Sequence, residues 1–345
     1  MTMRLITIGA AIVLLSATIA CNQSPNYVTN NNIDIIPENS VDEAKAAPIV
    51  LDIVMKGVGI DIPQSDFTVM KNAGINILTT EWGMEEDIGK VRAFLDKADA
   101  AGLKVVLDGG FSYTAWGFSG DDWDSLPKGK RPVWQKERVQ NWISAFKNHP
   151  AVFAYDICNE YGENLPSGAI MGNPEWPKTA ITLAQLKQAR DDVLQIDPHK
   201  PIAVRTYEWD FVEPPLGSWR PFEAGIADIL MLNLYSNYVK DNRLQWPEII
   251  GDCGVTCVEA IKSVDPKVKI WVSVSAFESL PTFQRPTSAR LTRDIKYTLD
   301  IPDIDGIAFF EWGPSIGCER GKPWYLPEAG DDLWQVIKHS IADIR

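Results

Sequence analysis

From Ile49 onward, short β-branched or apolar runs alternate with amphipathic stretches. The runs at 53–60, 75–80, 104–107, 152–157, 202–206, 229–234, 270–275 and 306–310 read as strands. They are nearly continuous apolar segments, the pattern of parallel strands covered on both faces. Between them, 85–101, 135–147, 183–195, 290–299 and 332–344 have helical periodicity. In the first of these, Ile88, Val91, Phe94, Leu95 and Ala98 fall on one face, and Gly102 marks the stop. Ala73-Gly74, Ala101-Gly102, Asp197-Pro198 and Asp265-Pro266 punctuate the returns from helix to strand. Eight such strand–helix units predict an α/β fold, a (β/α)8 TIM barrel forming a single domain over 49–345. A doubly wound open sheet is the alternative. The absence of a glycine-rich phosphate loop after the first strand counts against it.

The segment before the barrel carries a different pattern. Residues 1–20 contain Arg4, an apolar run over 5–15 and then small or polar residues, the layout of an export signal. The run is too short for an ordinary transmembrane helix. Cys21 directly after Ala20 resembles a bacterial lipoprotein signal, in which the Cys is lipidated and becomes the new N-terminus. Thr18 stands where that signal usually has Leu. The resemblance implies an exported, membrane-anchored lipoprotein facing the periplasm or cell exterior. Residues 21–48, rich in Asn, Pro and acids, then read as a flexible tether.

The predicted strand-to-helix loops are long and aromatic. The third holds Phe111, Tyr113, Trp116, Phe118, Trp123 and Trp134, and Trp82, Trp209, Tyr235 and Trp312 lie near other strand ends. The chain has 13 Trp, roughly three times average usage. Barrel active sites are built from these loops. Aromatic faces pack on the C–H faces of sugars, while acids and amides hold hydroxyls, so the pattern points to a carbohydrate cleft. A net charge of −13 excludes nucleic acid bound through the overall field, which needs basic patches. Three His and no clustered ligand motif leave no metal site, and no cofactor is expected. Cys253 and Cys257 could pair in an oxidising compartment or stay as buried thiols. A monomer is expected.

Acids mark the strand ends: Asp61, Glu81, Asp108, Glu160, Glu208, Glu278 and Glu311. Carboxyls converging on one barrel mouth raise one another's pKa, and glycoside hydrolysis needs one acid and one carboxylate. The segment Val152-Phe153-Ala154-Tyr155-Asp156-Ile157-Cys158-Asn159-Glu160 resembles strand four of the retaining clan-A glycoside hydrolases, the cellulase- and mannanase-like barrels. Met70 to Asn76, Asn233-Leu234-Tyr235 and Phe309-Phe310 followed by Trp312 resemble further patches of that clan. The resemblance implies that Glu160 is the general acid/base and Asn159 holds a sugar 2-hydroxyl. It also implies that Tyr235 orients the nucleophile and Trp312 floors the sugar site.

Thr79 stands where the clan commonly has an Arg, and Gly109-Gly110 where a His often ends strand three. Strand seven, which should deliver the nucleophile, has Val or Ser at the expected place. Glu278 lies about three residues late and Glu311 comes from strand eight; regular alternation forbids Glu311 and Trp312 from both pointing inward. The expected activity is a glycosidase cleaving a β-linked glycan by a retaining two-carboxylate mechanism. Its catalytic candidates are Glu160, Glu278 and Glu311. Its substrate-binding candidates are Asn159, Tyr235, Trp312, Trp82, Trp116, Trp123, Asp61 and Asp108. The alternative is a carbohydrate-binding lipoprotein on an inactive barrel of the same kind.

Overall fold

The computed structural model describes residues 47–54, 62–81, 87–108, 136–158, 183–207, 222–237, 249–278, 283–312, 326 and 332–344. Residues 1–46, which hold the expected export signal, Cys21 and nearly all of the expected tether, lie outside them. Eight parallel strands close into a barrel in chain order. They are β1 (Ile49–Val54), β2 (Ile77–Glu81), β3 (Lys104–Asp108), β4 (Val152–Asp156), β5 (Ile202–Tyr207), β6 (Ile229–Leu234), β7 (Lys269–Ser275) and β8 (Gly306–Trp312). Seven helices accompany them among the described residues: α1 (Gln64–Ala73), α2 (Ile88–Ala100), α3 (Lys136–Phe146), α4 (Leu183–Leu194), α5 (Ile249–Val264), α6 (Ser288–Leu299) and α7 (Asp332–Ile344). This is the (β/α)8 barrel that the alternating pattern predicts.

The strand pleat sorts side chains into two cores. Outward residues such as Leu51, Ile53, Leu78, Leu107, Val204, Val272 and Phe309 join the helix faces in one large cluster. Val50, Ile77, Val106, Ala154, Ala203, Ile229, Met231, Trp271 and Ala308 form a separate cluster inside the barrel. The period of two in a strand makes this division. Alanines from β4, β5 and β8 leave room for the Trp271 indole, so the interior is filled by one large ring among small residues. Gly306 at the start of β8 is dictated by the same crowding. A Cβ there would lie 2.8 Å from the Pro48 carbonyl oxygen and 3.0 Å from the Trp271 ring.

Helix ends follow local rules. Gly74 takes φ 100° after α1, and its N–H returns to Lys71, a left-handed stop that glycine adopts without strain. Asp87 caps α2 by accepting from the Gly89 and Lys90 N–H groups at 2.8 and 3.2 Å. Val91, Phe94, Leu95 and Ala98 are buried as their spacing requires. Ile88, in the first turn, is exposed instead. Cys253 and Cys257 on α5 are buried and no disulfide joins them, so the buried-thiol alternative holds for that pair.

The first strand begins at Ile49 rather than at residue 53, and the rest of the expected run, 55–60, lies outside the described residues. Asp52 interrupts the apolar run and reads as a boundary. In the barrel it is buried and paired with a charge from the opposite wall, so the interruption is part of the strand.

Candidate active site

The barrel interior is layered along its axis. Asp52, Thr79, Asp108, Asp156, Arg205, Asn233 and Ser273 each come two residues after a member of the inner apolar cluster. The pleat therefore stacks a polar layer on the apolar one, toward the C-terminal ends of the strands. All seven are buried.

Arg205 organises that layer. It is fully buried, and its Nη2 donates to Asp52 Oδ1 at 2.7 Å and to Thr79 Oγ1 at 2.8 Å. Nη1 donates to Asp52 Oδ2 and Nε to Asp156 Oδ2, each at 3.2 Å. The Thr79 hydroxyl donates to Asp52 Oδ1, and the Ser273 hydroxyl reaches Asp52 Oδ2 at 3.4 Å. One guanidinium from β5 thus ties together β1, β2 and β4, with β7 joined through Asp52. A buried guanidinium needs carboxylates to offset its desolvation, and its planar fork suits a bidentate pair. Asp156 also accepts from the Cys158 N–H at 3.2 Å. Burial is the largest influence on Asp156 and pushes its carboxyl up to about 6, against the lowering effect of Arg205; Asp52 adds to the rise.

Above the polar layer, β6, β7 and β8 form an aromatic sector of the mouth. Tyr235 lies with its ring centroid 5.5 Å from Phe310, 5.6 Å from Phe277 and 5.9 Å from Phe283. Phe277 meets Phe310 at 4.7 Å and Phe283 at 5.0 Å. Asn237 Nδ2 donates to the Phe277 carbonyl at 2.9 Å, and Arg290 Nε donates to Ser236 Oγ at 3.1 Å. These bonds fix the chain just past β6 to the β7 end and to α6.

The β8 terminus is irregular. Leu51 pairs with Phe309 but Ile53 pairs with Trp312, so Phe310 and Glu311 together stand opposite the single inward residue Asp52. A bulge of this kind puts two residues where the partner strand has one. The Phe310–Glu311 peptide is cis. Ser275 of β7 pairs with Phe310. Glu311 is 4% exposed, and its carbonyl accepts from the Leu326 N–H at 3.1 Å.

The bulge changes the roles expected at this strand end. Trp312 is 2% exposed, belongs to the outer cluster and packs edge-to-face on Trp334 of α7 at 5.1 Å. Its ring is between strand and helix, not on the inner face where the clan resemblance puts it. The conflict between an inward Trp312 and an inward Glu311 therefore does not arise. Glu278 follows Phe277 and is half-buried; its Oε2 accepts from the Arg285 N–H at 3.3 Å, on the segment returning to α6.

The structure brings Tyr235 and the Phe310–Glu311 pair into one sector. Asp108 is buried at the end of β3, where its N–H donates to Thr80 Oγ1 at 2.9 Å and its carbonyl accepts from Trp142 Nε1 at 3.1 Å. Glu160, Asn159, Trp82, Trp116, Trp123 and Asp61 lie outside the described residues. The sequence reading missed Asp52, Asp156 and Arg205, and also Phe277, Phe283 and Phe310. The available signal was a lone charge inside each of three apolar strands, since such a charge survives burial only with a partner.

No family model and no curated protein sequence matches the chain. Solved structures share its fold. A GH5_18 variant from Streptomyces cattleya, solved in complex with Manβ1-4GlcNAc, is 15% identical with a TM-score of 0.60, covering 87% of this chain and 81% of that one. A GH5_18 protein from Bifidobacterium longum subsp. infantis is 12% identical, with a TM-score of 0.58 and coverage of 86% and 79%. A β-galactosidase from Rahnella sp. R3 is 10% identical, with a TM-score of 0.58; the match covers 88% of this chain but 56% of that one. The chain thus spans just over half the length of that β-galactosidase. At these identities the likeness establishes the barrel, one that glycosidases also use.

Proposed function

We propose that the chain is a glycosidase that hydrolyses a β-linked glycan by a retaining, two-carboxylate mechanism. The observation that carries this reading is the mouth over β6–β8, where a buried carboxylate, Glu311, stands with Tyr235 and Phe310 at the strand C-terminal ends. Ring faces there suit the C–H face of a pyranose. Asn159, Asp61, Asp108, Trp82, Trp116 and Trp123 would complete the subsite. Glu160 gives its proton to the departing glycosidic oxygen and later deprotonates the attacking water. A structural neighbour solved with a β1-4-linked disaccharide supports the choice of ligand class.

The test is hydrolysis of a panel of β-linked oligosaccharides and aryl β-glycosides. Glu160→Ala is expected to lower kcat/KM by about 10²–10⁴-fold on poor leaving groups. The loss should be smaller on dinitrophenyl glycosides, which need little protonation. Equal losses on both classes would remove Glu160 from the acid role.

A second reading is a carbohydrate-binding protein without turnover. It is favoured by one observation: the inward residues near the end of β7 are Ser273 and Ser275 rather than a carboxylate. Calorimetric binding of an oligosaccharide that the protein never cleaves would select it.

We further propose that Cys21 is lipidated and tethers the barrel to a membrane. The wild-type protein should partition into detergent, and Cys21→Ser should release it. Wild-type protein free in the periplasm would overturn the anchor.

A further inference from the structure

We propose that Glu311, delivered by the β8 bulge, is the nucleophile of this barrel, in place of a carboxylate from β7. The proposal rests on the glycosidase reading and on Glu160 as its acid. Four observations carry it. The inward line of β7 runs Trp271, Ser273, Ser275 and offers no carboxylate. Beyond it, Phe277 enters the aromatic sector, while Glu278 is engaged with the Arg285 N–H. On β8, Phe310 and Glu311 share the place opposite inward Asp52, while Phe309 and Trp312 on either side belong to the outer cluster. Glu311 is therefore on the interior side of the strand, 4% exposed, one residue from a ring that packs against Tyr235.

The position is anchored rather than loose. The Leu326 N–H holds the Glu311 carbonyl, Trp312 bridges to Leu326, and the Ala276 N–H donates to the Phe310 carbonyl at 2.5 Å. Trp312 against Trp334 pins the next residue to α7. A nucleophile needs such fixity, because in-line attack on an anomeric carbon tolerates little displacement.

In the first step a Glu311 carboxylate oxygen bonds to the anomeric carbon as the bond to the glycosidic oxygen breaks. That oxygen leaves with the proton from Glu160. In the second step Glu160 takes a proton from water, whose oxygen bonds to the same carbon and releases Glu311 as a carboxylate. Each step inverts the anomeric centre, so the product retains its configuration.

The test uses the wild-type full chain, incubated with 2,4-dinitrophenyl 2-deoxy-2-fluoro-β-glycosides of the gluco, manno and galacto series. The expected result is time-dependent inactivation, with one fluoroglycosyl ester located on Glu311 by peptide mass spectrometry. In parallel, Glu311→Ala should lose at least about 10³-fold in kcat/KM, and azide should restore turnover as a glycosyl azide of inverted configuration. A merely structural role would not produce that rescue. Labelling of Glu278, or azide rescue of Glu278→Ala, would overturn the proposal and leave the glycosidase reading intact. Turnover with inverted configuration and no label would overturn it equally. A wild-type protein that binds oligosaccharide without any turnover would remove the glycosidase reading itself. The labelling arm needs no variant, so misfolding of Glu311→Ala cannot blunt the test.

Discussion

Replacing Arg205 by Met is expected to destabilise the barrel by about 3–5 kcal/mol at neutral pH, the cost of leaving buried carboxylates without their cation. The substitution removes the guanidinium that touches Asp52, Thr79 and Asp156 and leaves Asp52 and Asp156 buried in the polar layer. Methionine fills much of the stem volume, so the loss reports the charge more than a cavity. The melting temperature should fall on the order of 10 °C. The loss should shrink at pH 4.5, because a carboxyl without its guanidinium can take a proton instead of remaining as a buried anion. In an Asp52→Asn, Asp156→Asn background, Arg205→Met should cost clearly less than it does alone, since the groups act as one network. Urea unfolding of wild type and the three variants at both pH values checks this. A single-variant loss below about 1 kcal/mol at pH 7.5, in the range of an exposed pair, would mean that the cluster does not hold the barrel together.

That cluster also explains what could and could not be read from the sequence. The eight strands and most helices were legible because parallel strands buried on both faces have unmistakable apolar runs, as at Ile229–Leu234. The start of strand one was misplaced because of Asp52, and the reason is nonlocal. A charge inside an apolar run is tolerable only if another strand supplies its partner, here Arg205 from 153 positions away. Nothing within either segment encodes that pairing. The β8 end was misread for a related reason. Strict alternation makes Glu311 and Trp312 exclusive choices for the interior, whereas the bulge opposite Asp52 gives Phe310 and Glu311 the inner side together. Bulges are set by how neighbouring strands register, not by the bulged residues alone. Tyr235 was picked out by its place in an aromatic loop and by the resemblance of Asn233-Leu234-Tyr235 to the clan, and in the structure it follows Asn233 just past the end of β6. The phenylalanines around it resemble ordinary core residues in sequence. Their grouping depends on the returns after β7 and β8, which bring Phe277, Phe283 and Phe310 to one ring.

Asp156 should make the stability of the barrel fall as pH rises through the weakly acidic range, and Asp156→Asn should remove that dependence. The groups around Asp156 are Arg205 of β5, Asp52 of β1 and, as its register partner on β3, Asp108. Two carboxylates share one guanidinium here, and the buried pair of Asp52 and Arg205 is already neutral. An ionised Asp156 therefore adds a net negative charge to the polar layer, whereas a protonated Asp156 does not. Burial raises its carboxyl from 3.8 to about 6. The folded state thus binds this proton more tightly than the unfolded chain does. The stabilisation is fully present below about pH 3.8 and is lost as pH rises through about 6. The total change is about 3 kcal/mol, at roughly 1.4 kcal/mol per pKa unit. Burial also raises the Asp294 carboxyl, which contributes in the same sense, while Asp305 is held below the ordinary carboxylate value and contributes in the opposite sense. The clean observable is therefore the difference between Asp156→Asn and wild type, measured by urea unfolding from pH 4 to pH 8. Asn offers one acceptor oxygen where Asp156 uses two, for Arg205 and for the Cys158 N–H. The variant should start about 1–3 kcal/mol less stable at pH 4. It should then gain on wild type by about 3 kcal/mol by pH 8, reaching or passing it. Parallel pH profiles, or a variant that loses ground as pH rises, would show that Asp156 is an ordinary paired carboxylate with Arg205 outweighing its burial.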